Sequence, residues 1–132
     1  MARQFKQRRT KSTRMLFSAN TIPSDIKIEE IMEIVFGTSI NGVNKAAEAS
    51  KVIFQYFKDS GTHMISDREL SKIANAASFS RGQFYNVVHD MISMGILRRS
   101  EFGDYELSTD FSSALTRIAE SYRNTVKGLV KK

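Results

Sequence analysis

Two serine-led patterns, fourteen residues apart, constrain this chain more than anything else in it. In Ser66-Asp67-Arg68-Glu69 the hydroxyl is placed to accept the third helical N–H, and the carboxylate three residues on to reach back to the serine N–H. Ser80-Arg81-Gly82-Gln83 repeats the pattern with an amide in place of the acid. The first pattern predicts a short helix over 67–76 with Leu70, Ile73 and Ala74 inward. The second predicts a helix that runs to Met94, with Phe84, Val88 and Met91 on one face and Gly95 as its left-handed stop. Asn75-Ala76-Ala77-Ser78-Phe79 is the link between them. Two capped helices joined this tightly form a helix-turn-helix signal.

The flanking segments add to this pair. Ile96 to Phe102 (ILRRSEF) reads as a strand, Gly103-Asp104 as a two-residue hairpin turn, and Tyr105 to Ser108 as the partner strand. Thr62 to Ile65 is a short edge strand. Upstream, Ser24 is placed to cap a helix over 25–36 with the stripe Ile28, Ile31, Met32 and Val35; its other face carries Asp25, Glu29, Glu30 and Glu33. After the turn-rich segment 37–44, a helix over 45–58 carries the stripe Ala46, Ala49, Ile53 and Phe57, widened by Val52 and Tyr56. The last helix starts at Ser108 or Thr109 and repeats Phe111, Leu115, Ile118, Tyr122, Val126 and Leu129 at steps of three or four. The fold class is mainly α with a small β-hairpin.

A chain of 132 residues that is 41% hydrophobic carries enough apolar side chains for one domain with a real core. Without cysteine it folds without disulfides, which suits a reducing compartment, and the well-separated His63 and His89 exclude the usual zinc sites. No apolar run approaches the ~20 residues of a membrane span. The net charge of +6 sits in one place. Residues 1–20 hold Arg3, Lys6, Arg8, Arg9, Lys11 and Arg14 with no acid, and the remainder balances 14 basic residues against 14 acidic ones. Such an arm is too polar to pack and repels itself into an extended state. It reads as a solubilising tail, as a transit peptide, or as a strand of cations that follows phosphates; the density of charge and the lack of acid favour the last. The organisation is then a basic arm over 1–23 and a domain over 24–132.

From Asn44 to Ser108 this order of elements resembles the winged helix-turn-helix domain of DNA-binding transcriptional regulators. The residues that carry the resemblance are Ile65 to Leu70 at the first motif helix, Phe79 to Tyr85 at the second, Met94 to Arg99 on leaving it, and Phe102 to Leu107 in the wing. It covers about half the chain. The final helix, over 109–130, resembles the dimerising helix of small archaeal and bacterial regulators of this type. The expected architecture is therefore a winged helix with an added N-terminal helix and a long C-terminal one.

The resemblance implies a recognition helix over 80–94 in the major groove, with its outward N-terminal residues at base edges. Those positions hold Arg81, Gln83, Tyr85, Asn86 and His89. Arginine suits guanine, and glutamine or asparagine suits adenine. Competing roles stay open: Gln83 as the partner of Ser80 in the cap, Tyr85 half in the core, His89 as a solvated side chain. Lys72 and Ser78 are placed for phosphates, and Ser80 at the cap belongs to the expected DNA-binding set. Arg98 and Arg99 begin the wing, and strand alternation turns only one of them to the groove. The wing departs from the family pattern by carrying Glu101, Asp104 and Glu106, so the arm is expected to take the minor groove. Val87, Ile92 and Met94 lie off the core stripe and call for cover from the helix over 25–36.

The expected function is sequence-specific binding of double-stranded DNA by a homodimer joined along Phe111, Leu115, Ile118, Tyr122, Val126 and Leu129. Transcription regulation and plasmid partition or replication are both open. The expected setting is cytoplasmic, on the nucleoid, with no membrane, cofactor or metal. The alternative is a winged helix used for protein–protein contact in a nucleic-acid-associated assembly, which the neutral body and acidic wing favour. RNA binding through the arm alone is a third reading. Catalysis is not expected: there is no cysteine nucleophile and no phosphate-binding glycine loop, and His89 and Asp90, as helical neighbours, do not face each other.

Overall fold

Helix caps and one tight glycine stop position most of the elements. The computed structural model describes residues 17, 19, 22–37 and 44–130. In chain order they form α1 (Ile28–Phe36), α2 (Lys45–Ser60), β1 (Met64–Ile65), α3 (Asp67–Ala76), α4 (Arg81–Met94), β2 (Leu97–Arg99), β3 (Tyr105–Leu107) and α5 (Asp110–Val130). The architecture is mainly helical with a three-stranded antiparallel sheet in the order β1-β3-β2. The chain divides into two compact units, the first ending at Gln55 and the second beginning at Tyr56.

In the first unit, α1 begins later than the sequence suggests. Ser24 and Asp25 occupy a turn closed by the Ile26 N–H on the Pro23 carbonyl at 3.3 Å, so Ser24 does not cap the helix. The start falls where the Glu30 carboxylate accepts the Lys27 N–H at 3.3 Å. Met32 and Phe36 are buried, while Ile28, Ile31 and Val35 are half-buried. Asn44 links this helix to the next. Its amide donates to the Phe36 and Gly37 carbonyls, both at 2.9 Å, and its Oδ1 accepts the N–H groups of Ala46 and Ala47. One side chain thus closes α1 and caps α2. Ala47 and Ser50 are buried beside Ala49 and Ile53, so the inward face of α2 is rotated from the expected stripe, and Ala46 is only half-buried. Lys51 bridges Glu33 and Glu48, and the bond to Glu33 is the main reason its ammonium pKa is raised.

In the second unit, the Ser66 box closes fully. Ser66 Oγ accepts from the Glu69 N–H at 3.1 Å, and Glu69 Oε1 accepts from the Ser66 N–H at 2.9 Å. Leu70, Ile73 and Ala74 are buried as expected. The α3–α4 link is a left-handed stop built on serine: Ser78 has φ 63°, and the Phe79 N–H returns to the Ala74 carbonyl at 2.9 Å. Ser80 then caps α4 by accepting the Gln83 N–H at 3.1 Å. The Gln83 side chain does not close a second box. Phe84, Val88 and Met91 are buried, and so is Val87, which the sequence pattern places off the core stripe. Ile92 and Met94 are half-buried.

Gly95 ends α4 at φ 84°, with the Ile96 N–H bonded to the Met91 carbonyl at 2.9 Å. It also accepts the Phe111 N–H at 3.0 Å, so the end of α4 touches the start of α5. β2 and β3 are shorter than the expected strands, and the register Leu97↔Leu107, Arg98↔Glu106, Arg99↔Tyr105 rules out a two-residue Gly103-Asp104 turn. Ser100 and Asp104 close a three-residue loop instead: the Ser100 N–H donates to Asp104 at 2.7 Å and the Gly103 N–H to Ser100 at 2.9 Å, with Gly103 left-handed. β1 adds to the other edge of β3, pairing Met64 with Glu106 and Ile65 with Tyr105.

Candidate nucleic-acid interface

The site is built on α4 because its inner side is fixed. Phe84, Val87, Val88 and Met91 are buried, and the Phe79 and Phe84 rings sit 5.5 Å apart at the link. Helical spacing then turns Gly82, Gln83, Asn86, His89, Asp90 and Ser93 outward, and all six are exposed. The first turn of α4 has no acid. The strip offers amide, imidazole, carboxylate and hydroxyl groups, a mixture of donors and acceptors of the kind that meets base edges.

Arg81 and Tyr85 sit at the edge of this strip, toward α3. The Arg81 guanidinium lies 5.7 Å from the Tyr85 ring centroid. The half-buried Tyr85 donates its hydroxyl hydrogen to the Asp67 carbonyl at 3.3 Å, and its oxygen lies 3.5 Å from Ser71 Oγ. Tyr85 therefore helps to fix the α3–α4 packing, and Arg81 keeps an exposed head. Lys72, Ser78 and Ser80 are exposed along α3, the link and the cap.

The two hairpin arginines are held by the protein itself. Arg98 donates to its cross-strand partner Glu106 at 2.6 Å, and that bond chiefly raises its pKa. Arg99 donates to the Gly103 carbonyl at 2.9 Å, covers the Tyr105 ring at 4.5 Å, and lies 3.8 Å from Asp67 Oδ2. Arg98 is paired within the hairpin and Arg99 with the hairpin and the first turn of α3, in contrast to the outward strip of α4. Phe102, at the tip, is 84% exposed. On the far side of α3, Tyr56 donates to Glu69 Oε2 at 3.2 Å. The Glu69 carboxyl is held below its usual range, first by the Ser66 backbone N–H. The Tyr56 pKa is raised by burial and then by Glu69.

Of the residues expected at bases, Gln83, Asn86 and His89 share the exposed strip, Arg81 borders it, and Tyr85 turns partly away. Arg3, Lys6, Arg8, Arg9, Lys11 and Arg14 lie outside the described residues. The sequence reading did not include Gly82, Asp90 and Ser93, although their spacing of four and seven residues around Asn86 and His89 signals the same face. Among the described residues, no group of three or more His, Cys, Asp or Glu could hold a metal ion, and no helix is long and apolar enough to cross a membrane. Comparison with known protein families, curated proteins and solved structures finds no match to this chain.

Proposed function

We propose that this protein binds double-stranded DNA in a sequence-dependent way as a winged helix, with α4 in the major groove and the basic arm along phosphates. The observation that carries this reading is the strip Gln83, Asn86, His89 and Asp90: four exposed hydrogen-bonding side chains on a helix anchored along its other side. The Ser78 link and the three-stranded sheet beside α4 support it. The six cations of the arm supply affinity that does not depend on sequence, and the strip supplies discrimination. Regulation of transcription or a part in plasmid partition or replication fits such an activity.

Selection of full-length protein on a randomised duplex library tests the reading. A preferred site should emerge, and Asn86→Ala should weaken it by about 1–3 kcal/mol while sparing binding to unrelated duplex. Selection that yields no preferred site rejects base reading by α4. A second reading, protein contact through the hairpin, is favoured by the exposed Phe102 between Glu101 and the loop-closing Asp104. It predicts that Phe102→Ala abolishes partner capture and leaves DNA binding unchanged.

A further inference from the structure

The outward strip of α4 carries no cation, and this sets the bases that it can read. Its side chains are Gln83, Asn86, His89, Asp90 and Ser93, all exposed. Among the described residues, no hydrogen bond or ion pair engages any of these side chains. The arginines of α4 and of the hairpin lie elsewhere. Arg81 sits 5.7 Å from the Tyr85 ring on the α3 side, Arg98 is bonded to Glu106, and Arg99 to Gly103. The bidentate contact of arginine with guanine, the commonest specific contact in the major groove, therefore has no donor on this strip. Two carboxamides and a carboxylate stand there instead, at Gln83, Asn86 and Asp90. Asp90 lies in the second half of α4, where the helix dipole gives an acid no support, and its charge opposes the approach of a polyanion. An acid there lowers affinity for any duplex, so what it offers is discrimination between duplexes.

We infer that Asp90 selects a cytosine in the DNA site that α4 reads, one helical turn from an adenine held by Asn86; this rests on the DNA-binding reading. In the major groove cytosine alone presents a donor and no acceptor, its N4 amino group. A carboxylate, which only accepts, matches that edge. O6 and N7 of guanine and O4 of thymine repel it, and adenine sets N7 against its second oxygen. Asn86, with a donor and an acceptor together, matches adenine N6 and N7. Gly82, one turn before Asn86, removes a side chain from the strip and lets the Asn86 amide come close to the base edges. Asn86 and Asp90 are separated by about 6 Å at the helical rise. Successive bases are about 3.4 Å apart along a strand, so the adenine and the cytosine fall within about two base pairs of each other. Gln83 shares the side of the strip on which Asp90 lies, seven residues earlier, and offers a second contact of the adenine type.

Selection of the full chain and of Asp90→Asn on a randomised duplex library, followed by binding to the selected duplexes, tests the inference. The native chain should select a cytosine that Asp90→Asn exchanges for adenine. Any other base at that position should weaken native binding by about tenfold or more. With one negative charge removed, Asp90→Asn should also bind an unrelated duplex more tightly than the native chain does. Modified bases test the same contacts with the protein intact. In the selected site 7-deazaadenine, which lacks the N7 acceptor, should weaken native binding severalfold, and 7-deazaguanine should leave it unchanged. A library that yields no preferred site rejects the DNA-binding reading and the inference with it. A preferred site that Asp90→Asn leaves unaltered, that tolerates 7-deazaadenine, or that depends on guanine N7 overturns the inference alone and leaves the DNA-binding reading standing.

Discussion

The Tyr105 hydroxyl donates to Asp67 Oδ1 at 3.0 Å, joining β3 to the first turn of α3 across thirty-eight residues of chain. Arg99 closes the arrangement by lying over the Tyr105 ring and beside the other oxygen of Asp67. The hairpin is thereby fixed to the helix that precedes α4. Burial first, and the Asp67 bond second, push the phenol up to about 12. Its folded pKa stands above the ordinary 10.0, so its contribution is complete below pH 10 and is lost as pH rises through about 12. Tyr105→Phe should cost about 1 kcal/mol at neutral pH. In urea titrations, the gap between native and Tyr105→Phe stability should shrink between pH 10 and pH 12.

Two left-handed positions should respond to substitution in opposite directions. Ser78, at φ 63°, pays the strain that glycine avoids, so Ser78→Gly should stabilise by up to about 1 kcal/mol. Gly95, at φ 84°, has no room for a Cβ, which would lie 2.9 Å from both Asp110 Cβ and the Phe111 nitrogen. Gly95→Ala should cost more than about 2 kcal/mol, because both contacts are with the start of α5 rather than a flexible side-chain end. Denaturant midpoints of the two variants give both signs directly.

Gly82 separates folding from binding. It lies in α4 on the exposed strip, and a Cβ there meets nothing within 4 Å. Gly82→Ala should therefore stabilise the protein by roughly 0.5–1 kcal/mol. If α4 approaches DNA closely, the same methyl group should weaken duplex binding severalfold. Unfolding and fluorescence anisotropy on the same sample test the opposed effects.

The parts of the fold legible in the sequence were those with a local cause. Ser66 and Glu69 announced α3, Ser80 announced α4, and Gly95 announced its end, because each signal lies within a few residues of what it controls. Where two local solutions compete, the pattern misled. Ser24 follows Pro23 and forms a turn, and the Gly103-Asp104 pair gave way to a loop closed at Ser100. Asn44 was hidden because its amide serves one helix and its carbonyl oxygen another. The exposed strip was half legible: Asn86 and His89 follow from periodicity, but the engagement of Arg98 and Arg99 depends on strand register and on Tyr105, which no short-range pattern encodes.

The central claim is that α4 reads DNA and the arm adds affinity. Binding of the full chain, and of a chain lacking residues 1–20, to a selected duplex and an unrelated one across a salt series tests it most directly. The full chain should lose affinity steeply, with a log–log slope near −0.9 per phosphate contacted. The shortened chain should bind more weakly and with a shallower slope, yet still prefer the selected duplex. A shortened chain that binds neither duplex would contradict the claim and leave the domain as a scaffold for its arm, and one that binds both equally would contradict base reading by α4.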